Sequence, residues 1–119
     1  MLSAERSQTP IAVVKTYDLL LWLLPKVEKF NRSFRFTVGD RMVNLGLDLL
    51  LLLVEAACST EKAGLLDGAN RRANGLRYLL RLAKDLHLLT LDSYGFAAER
   101  LDEVGRMIGG WQKSLKGRG

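Results

Sequence analysis

The sequence predicts an all-α protein, folded as an antiparallel up-down-up-down four-helix bundle. Three observations carry that prediction. Leucine dominates the apolar residues while valine, isoleucine and threonine are sparse; leucine loses little rotamer freedom in a helix, whereas β-branched residues favour strands. Apolar residues recur at three- and four-residue spacing over four stretches of about twenty residues, the period of an amphipathic helix. Short connections join these stretches, and long helices joined by short loops fold back on one another. With 119 residues, 48% apolar and 26% charged, the chain reads as one domain over residues 1–119 with enough apolar surface for a core.

The first helix is expected over about residues 10–30, with Thr9 as N-cap and Pro10 in the first turn, where its missing N–H has no partner anyway. Val13, Tyr17, Leu20, Leu24 and Val27 fall on one face. Pro25 removes one backbone hydrogen bond and crowds the carbonyl of Leu21, so a kink or a break is expected there. Residues 31–36 read as a loop, and Thr37-Val38-Gly39-Asp40 resembles a capping box with Asp in the place of Glu or Gln.

The second helix then spans about residues 38–58. Its apolar residues (Met42, Val43, Leu45, Leu47, Leu49 to Val54, Ala56, Ala57) nearly encircle it, and a helix apolar all round must be buried all round. In a lone bundle every helix keeps an outer face, so this one is expected to line a subunit interface through Leu45, Leu49, Leu52 and Leu53. The third helix, about residues 65–88, has Leu76, Leu79, Leu80, Ala83 and Leu86 as its core face. Gly68 and Gly75 each weaken it by about 1 kcal/mol relative to alanine, which implies close backbone packing or a ragged first turn. Asp92 or Ser93 caps the fourth helix, about residues 93–115. There Ala97, Leu101, Val104, Ile108, Trp111 and Leu115 keep a heptad-like spacing throughout, a bundle seam. Residues 116–119 form a basic, glycine-containing tail expected to fray.

Catalytic and metal chemistry are poorly provided for. The single histidine, His87, and single cysteine, Cys58, are too few and too far apart in sequence to supply a zinc site. Cys58 ends an apolar helix with no base beside it and reads as an inert buried thiol; His87 reads as a partly buried residue near a helix end. Gly109-Gly110 lies within a helix, without the strand–loop–helix setting of a phosphate cradle. The expectation is a protein that is not an enzyme and takes no cofactor. One cysteine agrees with a reducing compartment, and no hydrophobic signal region follows Glu5 and Arg6. The longest uninterrupted apolar run, Leu49 to Val54, is far shorter than the roughly 20 residues of a membrane span. A cytoplasmic protein with no membrane partner is expected.

The charge points to a polyanionic partner. Lys and Arg number 18 against 13 Asp and Glu, for a net charge of +5. Arg77, Arg81 and Lys84 follow i, i+4, i+7 spacing and share one stripe of the third helix, continued by Asn70 and Asn74, and Asp85, four residues after Arg81, is the one acid at i±4 of these three cations. A second basic concentration comprises Lys26, Lys29, Arg32, Arg35 and Arg41 against Glu28 and Asp40, with Phe34 and Phe36 interleaved. Those rings offer stacking platforms for bases, but the favoured reading is that they plug one end of the bundle. With no helix-turn-helix, zinc-finger or RRM signature, contacts are expected to be with phosphates and shape.

Three segments carry a resemblance: Phe36-Thr37-Val38-Gly39-Asp40-Arg41, the motif Leu76-Arg77-Tyr78-Leu79-Leu80-Arg81-Leu82-Ala83, and Val104-Gly105-Arg106-Met107-Ile108-Gly109-Gly110-Trp111. Together they resemble the accessory variability protein (Avd) of diversity-generating retroelements, and more broadly the four-helix-bundle proteins encoded by intervening sequences of large-subunit ribosomal RNA genes, over about residues 10–115. The resemblance implies a four-helix-bundle protomer in a barrel-shaped homopentamer with a basic surface. It further implies association with a reverse transcriptase and binding of RNA or DNA during mutagenic copying of a template repeat. The basic positions it matches are Arg77 and Arg81, with Arg41 and Arg106; Lys84 joins them from the stripe alone. The alternative is a bundle of the ribosomal-RNA intervening-sequence type, with a structural role and no reverse transcriptase partner.

Overall fold

The structure, a computed structural model, describes residues 9–117. Four long helices, α1 (Ile11–Glu28), α3 (Asp40–Cys58), α4 (Lys62–Asp85) and α5 (Leu91–Lys116), enclose one core. A short α2 (Arg32–Phe34) and a π-helical turn (Arg35–Gly39) connect α1 to α3. α1 packs on α3 and α5, and α4 packs on the same two, so consecutive long helices are neighbours around an up-down-up-down ring measuring 47 × 31 × 23 Å. Among the described residues there is no strand, and no helix is long and apolar enough to cross a membrane. The expectation about a signal region falls on residues 1–8, outside the described residues, as do the last two residues of the tail.

The termini of the helices differ from the sequence reading in instructive ways. The cap position of α1 falls on Pro10, whose carbonyl accepts from Val13 and Val14 N–H. The helix then continues through Pro25 to Glu28, so of the kink or break expected there the break does not occur. Pro25 and Leu21 both lie on the exposed face, where water can serve the bond that proline removes. The buried arc of α1 comprises Ala12, Val13, Thr16, Leu19, Leu20, Leu23 and Val27, while Tyr17 is exposed and Leu24 half-buried. Thr16 is wholly buried, and its hydroxyl donates to the Ala12 carbonyl at 2.7 Å, so no polar atom is orphaned.

No loop and no capping box separate α1 from α3. The chain turns helical again at Arg32, and the Thr37 hydroxyl donates to the Phe34 carbonyl instead of capping Asp40. Gly39 is drawn in here: a methyl group at that position would sit 3.0 Å from Val27 Cγ1. α4 starts at Lys62, earlier than periodicity indicates, because the Lys62 ammonium donates to the Ala56 carbonyl at 2.6 Å and closes the end of α3. α5 is capped by Thr90, whose hydroxyl accepts from Ser93 N–H at 3.0 Å, displacing the cap expected at Asp92 or Ser93.

The packing of α3 overturns the expected subunit contacts. Leu49 and Leu53 are each 0% exposed inside this chain's own core and have no surface left for a second copy. Leu45 and Leu52 are half-buried on α4, where their methyl groups rest on Gly75 and Gly68: Cβ atoms there would lie 3.3 Å from Leu45 Cδ1 and 3.5 Å from Leu52 Cδ1. The pairs Leu45–Gly75 and Leu52–Gly68 are one heptad apart on each of two antiparallel helices, so close packing, not a ragged turn, explains the glycines. The apolar residues of α3 are spread round the helix for two reasons, although Asn44, Asp48 and Glu55 share its exposed side. One side fills the core and both flanks, and an outer row of Leu47, Leu51 and Val54 faces solvent. On α5, Ala97, Leu101, Val104 and Ile108 are fully buried, with Trp111 and Leu115 packed against the core from its margin.

α4 ends in a Schellman motif. Leu88 N–H donates to the Ala83 carbonyl at 2.8 Å and His87 N–H to the Lys84 carbonyl at 2.9 Å, with His87 left-handed at φ 62°. His87 is thus exposed and sits where glycine is usual; it is not the partly buried side chain expected, and the motif stops the helix before the apolar pattern ends. Left-handed backbone costs an L-residue roughly 1–2 kcal/mol, of which glycine's greater freedom in the unfolded chain returns about half. His87→Gly is therefore expected to stabilise the fold by about 0.5–1 kcal/mol, seen as a higher urea midpoint at unchanged slope.

Candidate nucleic-acid interface

The residues expected to contact nucleic acid do not converge on one face. Arg77 turns from α4 onto α5, where its Nε donates to Asp102 Oδ1 at 3.0 Å and its Nη1 to Asn74 Oδ1 at 2.6 Å. Gly105 leaves room for this: a methyl group there would sit 3.2 Å from the guanidinium. The acid missing from Arg77's own helix is thus supplied by its neighbour. Lys84 lies on the same flank, 3.4 Å from Asp85 Oδ1 and 4.8 Å from the centre of the Tyr94 ring. Half-exposed, paired cations of this kind act as struts between α4 and α5 and have less charge to offer a polyanion.

Arg81 and Arg106 are exposed and stand in no ion pair with a described residue. The solvent crest of α4 is a row that the stripe reading missed: Arg71, Asn74, Tyr78 and Arg81, at three-four-three spacing and all exposed, Tyr78 at 70%. The signal was present in the spacing, but only the placement of α3 and α5 on the two flanks shows which row faces water. Arg41 is exposed on the opposite flank of α4. It lines a recess between α3 and α4 with Thr37, Val38, Leu45, Gly75 and Leu79.

The connection between α1 and α3 holds the second basic concentration, and there the charge is uncompensated. Lys26, Lys29, Arg32, Arg35 and Arg41 make no ion pair with a described residue. Lys26 lies over the Trp22 ring at 5.2 Å, and Arg35 over the Phe36 ring at 4.5 Å. Phe36 does not plug the bundle as expected. Phe30 fills that end, being 6% exposed, with Phe34 half-buried, while Phe36 is 57% exposed.

Cys58 also departs from expectation. It is exposed, continuing the four-three-four row of Leu47, Leu51 and Val54 at the end of α3. Among the described residues no group of three or more His, Cys, Asp or Glu side chains is placed to hold a metal ion.

The protein is thus an all-α four-helix bundle, with exposed cations on the α4 crest and at the α1–α3 turn and an exposed aliphatic row on α3. Its sequence matches the profile of the bAvd-like family over residues 11–115, and the chain belongs to that family. Compared with curated proteins and with solved structures, it gives no significant match.

Proposed function

We propose that this protein is a non-catalytic accessory factor of a diversity-generating retroelement. It binds RNA or DNA through basic surface and associates with the element's reverse transcriptase while a template repeat is copied mutagenically into a variable gene. Membership of the bAvd-like family supports this reading. The observation that carries it is the crest of α4, where Arg71 and Arg81 flank an exposed Tyr78 and stand in no ion pair with a described residue. Fixed cations on a rigid helix neutralise phosphates and release counterions.

The apolar outer face supports a second part of the proposal, self-association as a homopentamer. Leu47, Leu51 and Val54 form a row on α3, Leu51 being 61% exposed. Tyr17 and Leu21 are exposed on adjacent α1, which meets α3 where Leu20 lies against Gly46. Burial of such a patch against another copy follows from the cost of leaving it in water. The count of five copies comes from the family resemblance.

Three measurements test the reading. In gel shifts with single-stranded RNA and duplex DNA, Arg71→Glu/Arg81→Glu is expected to cut affinity at least tenfold and flatten the slope of log K against log salt by roughly 1.5; unchanged retention would exclude the crest. Arg77 is unsuited to this test, because a glutamate there would face Asp102. Light scattering should give a five-copy mass for the wild type and a monomer of unchanged helicity for Leu47→Glu/Leu51→Glu, and a monomeric wild type refutes self-association. Finally, the adjoining genes should encode a reverse transcriptase that co-purifies with this chain beside a template/variable repeat pair. Without them the protein is of the ribosomal-RNA intervening-sequence type.

A further inference from the structure

We propose that the turn between α1 and α3 is a site for unpaired bases of single-stranded nucleic acid, with Phe36 as the stacking platform and Arg32 and Arg35 as phosphate contacts. This rests on the nucleic-acid-binding reading above and adds to it a location and a strand state.

An aromatic ring stands on the outside of the turn. Gly39 packs against Val27 Cγ1 and Phe30 Cδ2, which draws the π-helical turn onto the end of α1 and leaves Phe36 on its outside. Since Phe30 already fills the core at that end, the ring of Phe36 has no packing role that would account for it. Arg35 covers the ring from one side at 4.5 Å, and 57% of the residue remains open to solvent. The ring borders a recess of about 400 Å³ lined by Phe30, Arg32, Arg35 and Phe36, with no acid in the lining.

The surroundings extend the site along a strand. The next two residues after Phe36, Thr37 and Val38, line the recess between α3 and α4 that Arg41 borders. Further along the same valley the cleft beside Arg72 is lined by Asp48 and Glu55, so the cationic track is confined to the end nearest the π-helical turn. A base already stacked and paired in a duplex has no free face for an exposed ring, whereas a splayed single-stranded base does, and a guanidinium beside the ring serves both as a stacking plane and as a phosphate donor.

The test uses the full chain and fluorescence anisotropy with three labelled probes: an oligothymidylate of about twelve nucleotides, an abasic strand of equal length, and a duplex. Phe36→Ala is expected to weaken oligothymidylate binding roughly tenfold, with the abasic strand and duplex unaffected, and Phe36→Trp to restore it. Arg32→Ala/Arg35→Ala is expected to weaken oligothymidylate and the abasic strand alike and to flatten the salt slope. Because Phe36 is largely exposed, circular dichroism of its variants should match the wild type. Equal oligothymidylate affinity for wild type and Phe36→Ala, or an equal loss on the abasic strand, overturns the stacking site. If that binding still responds to Arg71→Glu/Arg81→Glu, the broader reading survives. A wild type that binds none of the probes overturns both.

Discussion

The close approach of α3 to the helices on either side of it sets the geometry of the molecule. On one flank Leu20 of α1 presses into the space above Gly46, where a Cβ would come within 2.6 Å of Leu20 Cδ2. On the other, Leu45 and Leu52 rest on Gly75 and Gly68 of α4. Glycine in a helix interior costs about 1 kcal/mol, and these positions offset that cost by letting leucine side chains occupy the space a methyl group would take. The heptad spacing of the two α3–α4 pairs also fixes the register of the hairpin, since a slip of one turn would set leucine against side chains instead of bare backbone.

Two consequences for the surface follow from that register. With Leu49 and Leu53 in the core and Leu45 and Leu52 spent on α4, the apolar residues left on the outward side of α3 are Leu47, Leu51 and Val54, set among Asn44, Asp48 and Glu55. α4 is likewise fixed in rotation, so Arg77 and Lys84 lean towards α5 while Arg71, Tyr78 and Arg81 stand out on the crest. The rotation of one helix thereby divides a single run of basic residues into interhelical struts and solvent-facing cations.

The exposed aliphatic row and the exposed cations lie largely on different elements. The apolar row lies on the outer side of α3 and continues towards α1, whereas the cations in no ion pair with a described residue lie on the α4 crest and at the α1–α3 turn. In the proposed assembly this separation lets copies of the chain associate without covering the cations.

Much of the fold was legible in the sequence. The leucine bias, the three-four spacing and the seam from Ala97 to Ile108 depend on local periodicity, which any chain displays before it folds. Helix ends were less legible, because several are set by partners away from the pattern: Lys62 on the Ala56 carbonyl, Gly39 against Val27, His87 in left-handed backbone. The candidate site was least legible. The acid that holds Arg77, Asp102, is 25 residues away in sequence, and it is Phe30, not Phe36, that fills the end of the bundle; neither is marked by local spacing. By itself, then, the sequence determined that four amphipathic helices form and which residue types they carry. Only the tertiary structure decided which leucines face other helices and which cations face water, because both depend on the rotation of each helix against its neighbours.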